Sequence, residues 1–79
     1  MNTKVVKRDG CKWGQLAVIV NSDPSHAYSS TLKITVLSTG HSYYEEKYVP
    51  AGGEYDIGCT SLDGLHFNDY EVTGERVIK

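Results

Sequence analysis

Apolar and polar positions alternate with a period of two along most of the chain, and no window of helical length carries apolar residues at helical spacing. Successive side chains of an extended strand point to opposite faces, so this pattern predicts half-buried strands rather than helices. Lys4 to Arg8 ends at Asp9-Gly10, a dipeptide suited to a tight turn because both residues tolerate positive φ. Gln15 to Asn21 is apolar on both faces, Leu16, Val18 and Val20 on one side and Ala17 and Ile19 on the other, which predicts a central strand. Pro24 lies in the loop that follows, where it removes a backbone donor and turns Asp23 away from helix. Ser30 to Ser38 then points Leu32, Ile34 and Val36 inward and Lys33 and Thr35 outward.

After a turn over Ser38-Thr39-Gly40-His41, the run Ser42 to Val49 places Tyr44, Glu46 and Tyr48 on one face and Tyr43, Glu45, Lys47 and Val49 on the other. Two mixed faces suit an edge strand or a binding surface. Pro50-Ala51-Gly52-Gly53 is expected to turn a hairpin into Glu54 to Thr60, where Tyr55, Ile57 and Cys59 align. Ser61 to Gly64 makes another turn. Leu65 to Val72 and Glu75 to Ile78 complete the set, with Gly74 as a bulge or bend between them. Short strands with turns every 8–12 residues predict an all-β fold: a small antiparallel β-sandwich of six or seven strands, with a small open β-barrel as the alternative.

The length of 79 residues predicts one domain, 1–79, of a size that buries only about 60–65% of its unfolded surface. Aliphatic residues are sparse beside six tyrosines, Trp13 and Phe67, so the core is expected to be thin and aromatic. The longest apolar run, Leu16 to Val20, is far short of a membrane span, and no membrane association is expected. No apolar segment follows Met1 in the manner of a secretory signal. A net charge of −2 gives no general attraction to nucleic acid or to an acidic membrane. Its distribution is uneven: Lys4, Lys7, Arg8 and Lys12 make the start basic, while Glu45, Glu46, Glu54, Asp56, Asp63, Asp69, Glu71 and Glu75 make the later chain acidic. These charges are either solvated faces or a patch that meets a basic partner.

Cys11 and Cys59 stand 48 positions apart and form no CxxC pair, so neither a zinc knuckle nor a redox dithiol is indicated. Two readings stay open, a disulfide or two buried free thiols. A bridge closing such a loop adds about 4 kcal/mol on the chain-entropy estimate and implies an exported domain; free thiols imply a cytoplasmic one.

The order Cys11, Trp13-Gly14, a strand ending in Val20-Asn21, a loop, Leu32 to Val36, then Val49-Pro50-Ala51-Gly52-Gly53 leading to Ile57-Gly58-Cys59, resembles small two-cysteine bacterial β-sandwich proteins. Those are immunoglobulin-like in outline and mostly of unknown function. The resemblance implies the fold and carries over no catalytic residue. Antibody-type domains place a Trp well after the first Cys and a Tyr two residues before the second; here Trp13 follows Cys11 at once and Tyr55 is four before Cys59. That spacing argues against a disulfide of the antibody kind, joining two sheets.

Candidate chemistry is thin. His26, His41 and His66 fall in separate segments without metal-ligand spacing, so no metal or other cofactor is expected. Glu45 and Glu46 are adjacent on a strand and face opposite sides, which excludes them as an acid–base pair. Ser25-His26 and Gly40-His41-Ser42 lack the form of a nucleophile elbow, and no enzyme activity is expected. The tyrosines alternate with carboxylates that repel phosphates, so nucleic acid is not expected as a partner.

The richest feature is Tyr43, Tyr44, Tyr48 and Tyr55 with Glu45 and Glu46 around the Gly-Gly segment. Either these rings make the core, or they form the contact surface of a non-enzymatic protein-binding module whose acids meet a basic surface. A small phage or bacterial inhibitor, covering an enzyme or a nucleic-acid-binding surface, is the alternative use of that face. A carbohydrate-binding domain that stacks sugars on Trp13 or on exposed tyrosines is the third.

Overall fold

The structure, a computed structural model, describes residues 1–79 and is all-β, with six strands and no helix. The strands are β1 (Thr3–Arg8), β2 (Leu16–Asn21), β3 (Ala27–Val36), β4 (His41–Val49), β5 (Glu54–Cys59) and β6 (Asn68–Ile78). They form two antiparallel three-stranded sheets, ordered β1-β2-β5 and β4-β3-β6. The pairing follows from the patterns: β2 and β3, the strands richest in aliphatic residues, are central, and the charged strands are edges.

The sheets pack face to face on a cluster of Ile19 from β2 with Leu32, Ile34, Val49 and Val72 from the other sheet, joined by Val5, Ile57 and Tyr70. This core is aliphatic, which corrects the expectation of an aromatic one. Of the tyrosines only Tyr28 is buried, and its hydroxyl is hydrogen-bonded to Asp23 and Asn2. A cluster this small is complete without further rings, and a phenol needs a partner for its hydroxyl when buried.

Val18 is wholly buried although it points away from that core. Arg8 on β1 and Glu54 on β5 share its face and flank it diagonally, and they join in a two-contact ion pair of 2.7 and 2.9 Å. The pair therefore spans the outer face of β2 at Val18, and the guanidinium holds the Glu54 carboxyl below its ordinary range.

Three further expectations are corrected. The segment 50–53 does not turn a hairpin between β4 and β5. It carries the chain from one sheet to the other, docked on the end of β2 by Asn21 N–H to Gly53 O and Asn21 Nδ2 to Pro50 O. Because β2 is apolar on both faces it needs a neighbour on each edge, and β5 fills the edge that β1 leaves. Leu65, His66 and Phe67 lie in a loop, and the remaining residues form one long strand, β6, whose register on β3 shifts at Thr31/Leu32 opposite Thr73 and Gly74. The bulge lies beside Gly74, where a bulge or bend is expected; what differs is that the strand starts at Asn68 and not at Leu65. Finally, a register shift in β5 inserts Ile57 between the partners of Ala17 and Val18. Tyr55 consequently shares the inner face with Ile19, while Cys59 turns outward beside Leu16; Gly58, at φ +146°, supplies the backbone freedom.

Cys11 and Cys59 are bridged, with Cα atoms 5.9 Å apart. The bond ties the β1–β2 connection to the end of β5, within one sheet rather than between two. No helix is long and apolar enough to cross a membrane.

Candidate protein-binding surface

β4 forms one edge of its sheet and stays in unbroken register with β3 from His41 to Val49. Residues directly opposite share a face, so the buried Leu32 and Ile34 place Glu45 and Tyr43 on the inner side, with Lys47 and Val49. Tyr44, Glu46 and Tyr48 stand on the outer side, opposite Lys33, Thr31 and Ser29. Val49 alone of this strand is buried; Tyr44 is 61% and Tyr48 58% exposed.

The inner side of β4 opens at the rim of the sandwich, where β5 is the edge strand of the facing sheet. The Lys47 ammonium sits 5.5 Å from the centre of the Tyr55 ring and 2.9 Å from Glu45 Oε2. The hydrogen bond that Lys47 donates to Glu45 raises the Lys47 pKa against the opposing effect of its burial. Tyr43 and Tyr55, both partly exposed, flank this ion pair. On the outer side Glu46 accepts a hydrogen bond from Ser29 Oγ at 3.0 Å and lies 3.5 Å from Arg76 on β6.

The structure thus brings Tyr43, Glu45 and Tyr55 together with Lys47 on one side of β4 and sets Tyr44, Glu46 and Tyr48 on the other. The acids are not a free patch: Glu45, Glu46 and Glu54 each have a cationic partner, and Asp56 is outside every ion pair. The uneven charge along the chain is folded into matched pairs, Lys7 with Asp69 among them. Lys47 shares a face with Glu45 by strand parity, whereas Ser29 and Arg76 are not legible in the sequence as part of this surface, since only the register of β3 with its two neighbours sets them beside Glu46.

The connections beside the disulfide hold most of the other exposed apolar groups. Leu62 and Leu65 are 87% and 81% exposed, and Leu37, Phe67 and Trp13 are exposed at the same end. Trp13 packs on Gly64, where an added Cβ would lie 2.9 Å from the ring. Asp63 organises this loop by accepting the amide hydrogens of Leu65 and His66, both at 2.8 Å, and by contacting the His66 ring at 2.6 Å. Its carboxyl is held well below the ordinary range, first by His66 and then by the two amides. The Leu62-Asp63-Gly64-Leu65 sequence, with a leucine on each side of a turn, is the signal that marks this tip.

His26 contacts Asp23 at 3.1 Å in a loop of the same Asp-x-x-His spacing. No three His, Cys, Asp or Glu side chains gather as metal ligands. Two shallow depressions, of about 230 and 210 Å³, lie respectively between β1 and β6, around Val5 and Tyr70, and beside Asp63. Comparison with protein-family models, with curated proteins and with solved structures finds no match to this chain.

Proposed function

We propose that the chain is a non-enzymatic protein-binding module whose contact surface is β4, with Tyr43, Tyr44, Glu45, Glu46 and Tyr48, together with Tyr55 from β5. The observation that carries this reading is the exposure of these four tyrosines on and beside an edge strand while the core is complete without them. Tyrosine supplies contact area at low entropic cost, and its hydroxyl remains satisfied at a wet rim. Because most of the local carboxylates are already paired, the rings carry the binding, and attraction to a basic surface is a secondary, salt-sensitive contribution.

An immunoglobulin-like outline is part of this proposal, supported by two antiparallel sheets and by an order that places β1, β2 and β5 together. It is not the antibody constant arrangement, in which the fourth strand stays beside the fifth. The Cys11–Cys59 bridge supports an exported location, where such bonds persist.

The test is capture from the native source with the wild type and a Tyr44→Ala/Tyr48→Ala variant, side by side. Both rings are outside the core, so thermal unfolding of the variant stays within a few degrees of wild type. The reading is supported when a defined protein held by the wild type is lost from the variant and crosslinks to β4. It is overturned when the folded variant retains the same proteins.

A further inference from the structure

The four edge strands differ in how they resist pairing with another strand. β1 has six residues with Lys4, Lys7 and Arg8; β5 has six and is bulged at Ile57; β6 is bulged at Thr73. Short length, charge and bulges are the usual protections of a sheet edge. β4 alone combines nine residues with an unshifted register. Its outward backbone groups form a regular ladder site, the requirement for strand addition.

The sequence along β4 is complementary to itself in the antiparallel sense. Aligned about Glu46, two copies place Tyr44 opposite Tyr48, Glu45 opposite Lys47 and Tyr43 opposite Val49, each twice by symmetry. The faces agree: Tyr44 and Tyr48 are both outer residues, while Tyr43, Glu45, Lys47 and Val49 are inner ones. Aromatic pairs and opposite charges directly across a ladder are the favourable combinations. The single like-charged pair, Glu46 with Glu46 on the axis, involves a carboxylate that each chain already turns toward Ser29 and Arg76. Alignment about Glu45 would instead set Glu45 against itself and Tyr43 against Lys47, losing both charge pairs.

We infer that β4 pairs antiparallel with β4 of a second copy about a two-fold axis at Glu46, joining two three-stranded sheets into one of six strands. The inference rests on the reading of β4 as a protein-binding surface and names the partner. A two-fold axis makes each favourable contact occur twice, which is how one strand serves as both halves of its own interface.

Sedimentation from about 1 μM to about 1 mM tests it, because an interface of one strand pair falls below the ~1,200 Å² of stable complexes. The wild type is expected to pass from monomer to dimer in that range. Lys47→Glu sets acids opposite one another twice and weakens association at least about tenfold. The charge swap Glu45→Lys/Lys47→Glu restores it, which separates lost pairing from lost folding, and Glu46→Gln strengthens it by removing the axial repulsion. A monomer at every concentration, or a dimer indifferent to Lys47→Glu, overturns the inference. The broader reading fails by a different result, retention of the same captured proteins by the folded Tyr44→Ala/Tyr48→Ala variant.

Discussion

The two ends of the sandwich are held by different chemistry. At one end, where β2, β4 and β6 finish, the side chains are polar and densely hydrogen-bonded. Buried Asn21 donates to the carbonyls of His26 and Pro50 and accepts the amide hydrogen of Asp23. Glu75 on β6 accepts from the amides of Asn2 and Thr3 and from Thr3 Oγ1, while Ser30 Oγ donates to Thr3 Oγ1, so the two sheets are stitched across the layer. At the other end the disulfide and the Asp63 turn hold connections that expose leucine, phenylalanine and tryptophan. A core this small leaves little surplus stability. The contrast shows that reserve being supplied by specific bonds at both ends, non-covalent at one and covalent at the other, without use of the flank along β4.

Removing the covalent bond should cost most. Opening a loop with a sequence separation of 48 lowers stability by about 4 kcal/mol on the chain-entropy estimate. Urea unfolding with and without reductant measures it; equal midpoints would mean that the polar end alone sustains the fold. Next in size is Asn21→Ala, which strands two carbonyls and an amide in a buried site and should cost about 2–3 kcal/mol in the same measurement. A cost below about 0.5 kcal/mol would show that water replaces the side chain there.

Glu75→Gln tests the stitching between the sheets. The amide that replaces one oxygen presents donors to a donor, and a loss of about 1–2 kcal/mol is expected. Acid should act in the same direction and more gently. Burial works to raise the Glu75 pKa, but the hydrogen bonds from Asn2 and Thr3 outweigh it and leave it lowered; Asp23 is lowered too, by the Ser25 amide and then the Tyr28 hydroxyl. A depressed carboxyl contributes its stability in full above its unfolded pKa, 4.5 for Glu and 3.8 for Asp here, and loses it as pH falls through the folded value. Protection of the Asn2, Thr3 and Ser25 amides, taken against their intrinsic exchange rates, should therefore fall below about pH 4 with the disulfide still closed. The smallest effect is that of Asp63→Asn, local to an exposed loop: faster exchange at Leu65 and His66 with little change in the global midpoint. A large drop in the midpoint would make the disulfide end as dependent on hydrogen bonds as the other.

Much of the architecture is legible in the order of residues. Alternation in Leu32 to Val36 and apolar character on both faces of Leu16 to Val20 fix strands and their central placement, because side-chain direction in a strand depends only on position parity. The mixed faces of Ser42 to Val49 mark an edge for the same reason. Parity fails where a residue is inserted: Ile57 sends Cys59 to the opposite face from Tyr55, and Thr73 forms the bulge, beside the Gly74 that signals it, across which β6 runs on. Which strand lies beside which is not local information either. Pro50 to Gly53 has hairpin residues, yet the demand of β2 for a second neighbour draws β5 across to it and separates β4 from β5, so that Tyr43, Tyr44 and Tyr48 lie in one sheet and Tyr55 in the other.

The sequence by itself therefore determined the all-β class, the central and edge character of the strands, and the composition of the surface that β4 presents. The tertiary structure alone decided that the cysteines join, that the core is aliphatic with the tyrosines outside it, and that the acids are matched by Arg8, Lys47 and Arg76. The first group follows from properties that each strand carries within itself. The second depends on distances between residues tens of positions apart, which only the packing of one sheet on the other sets.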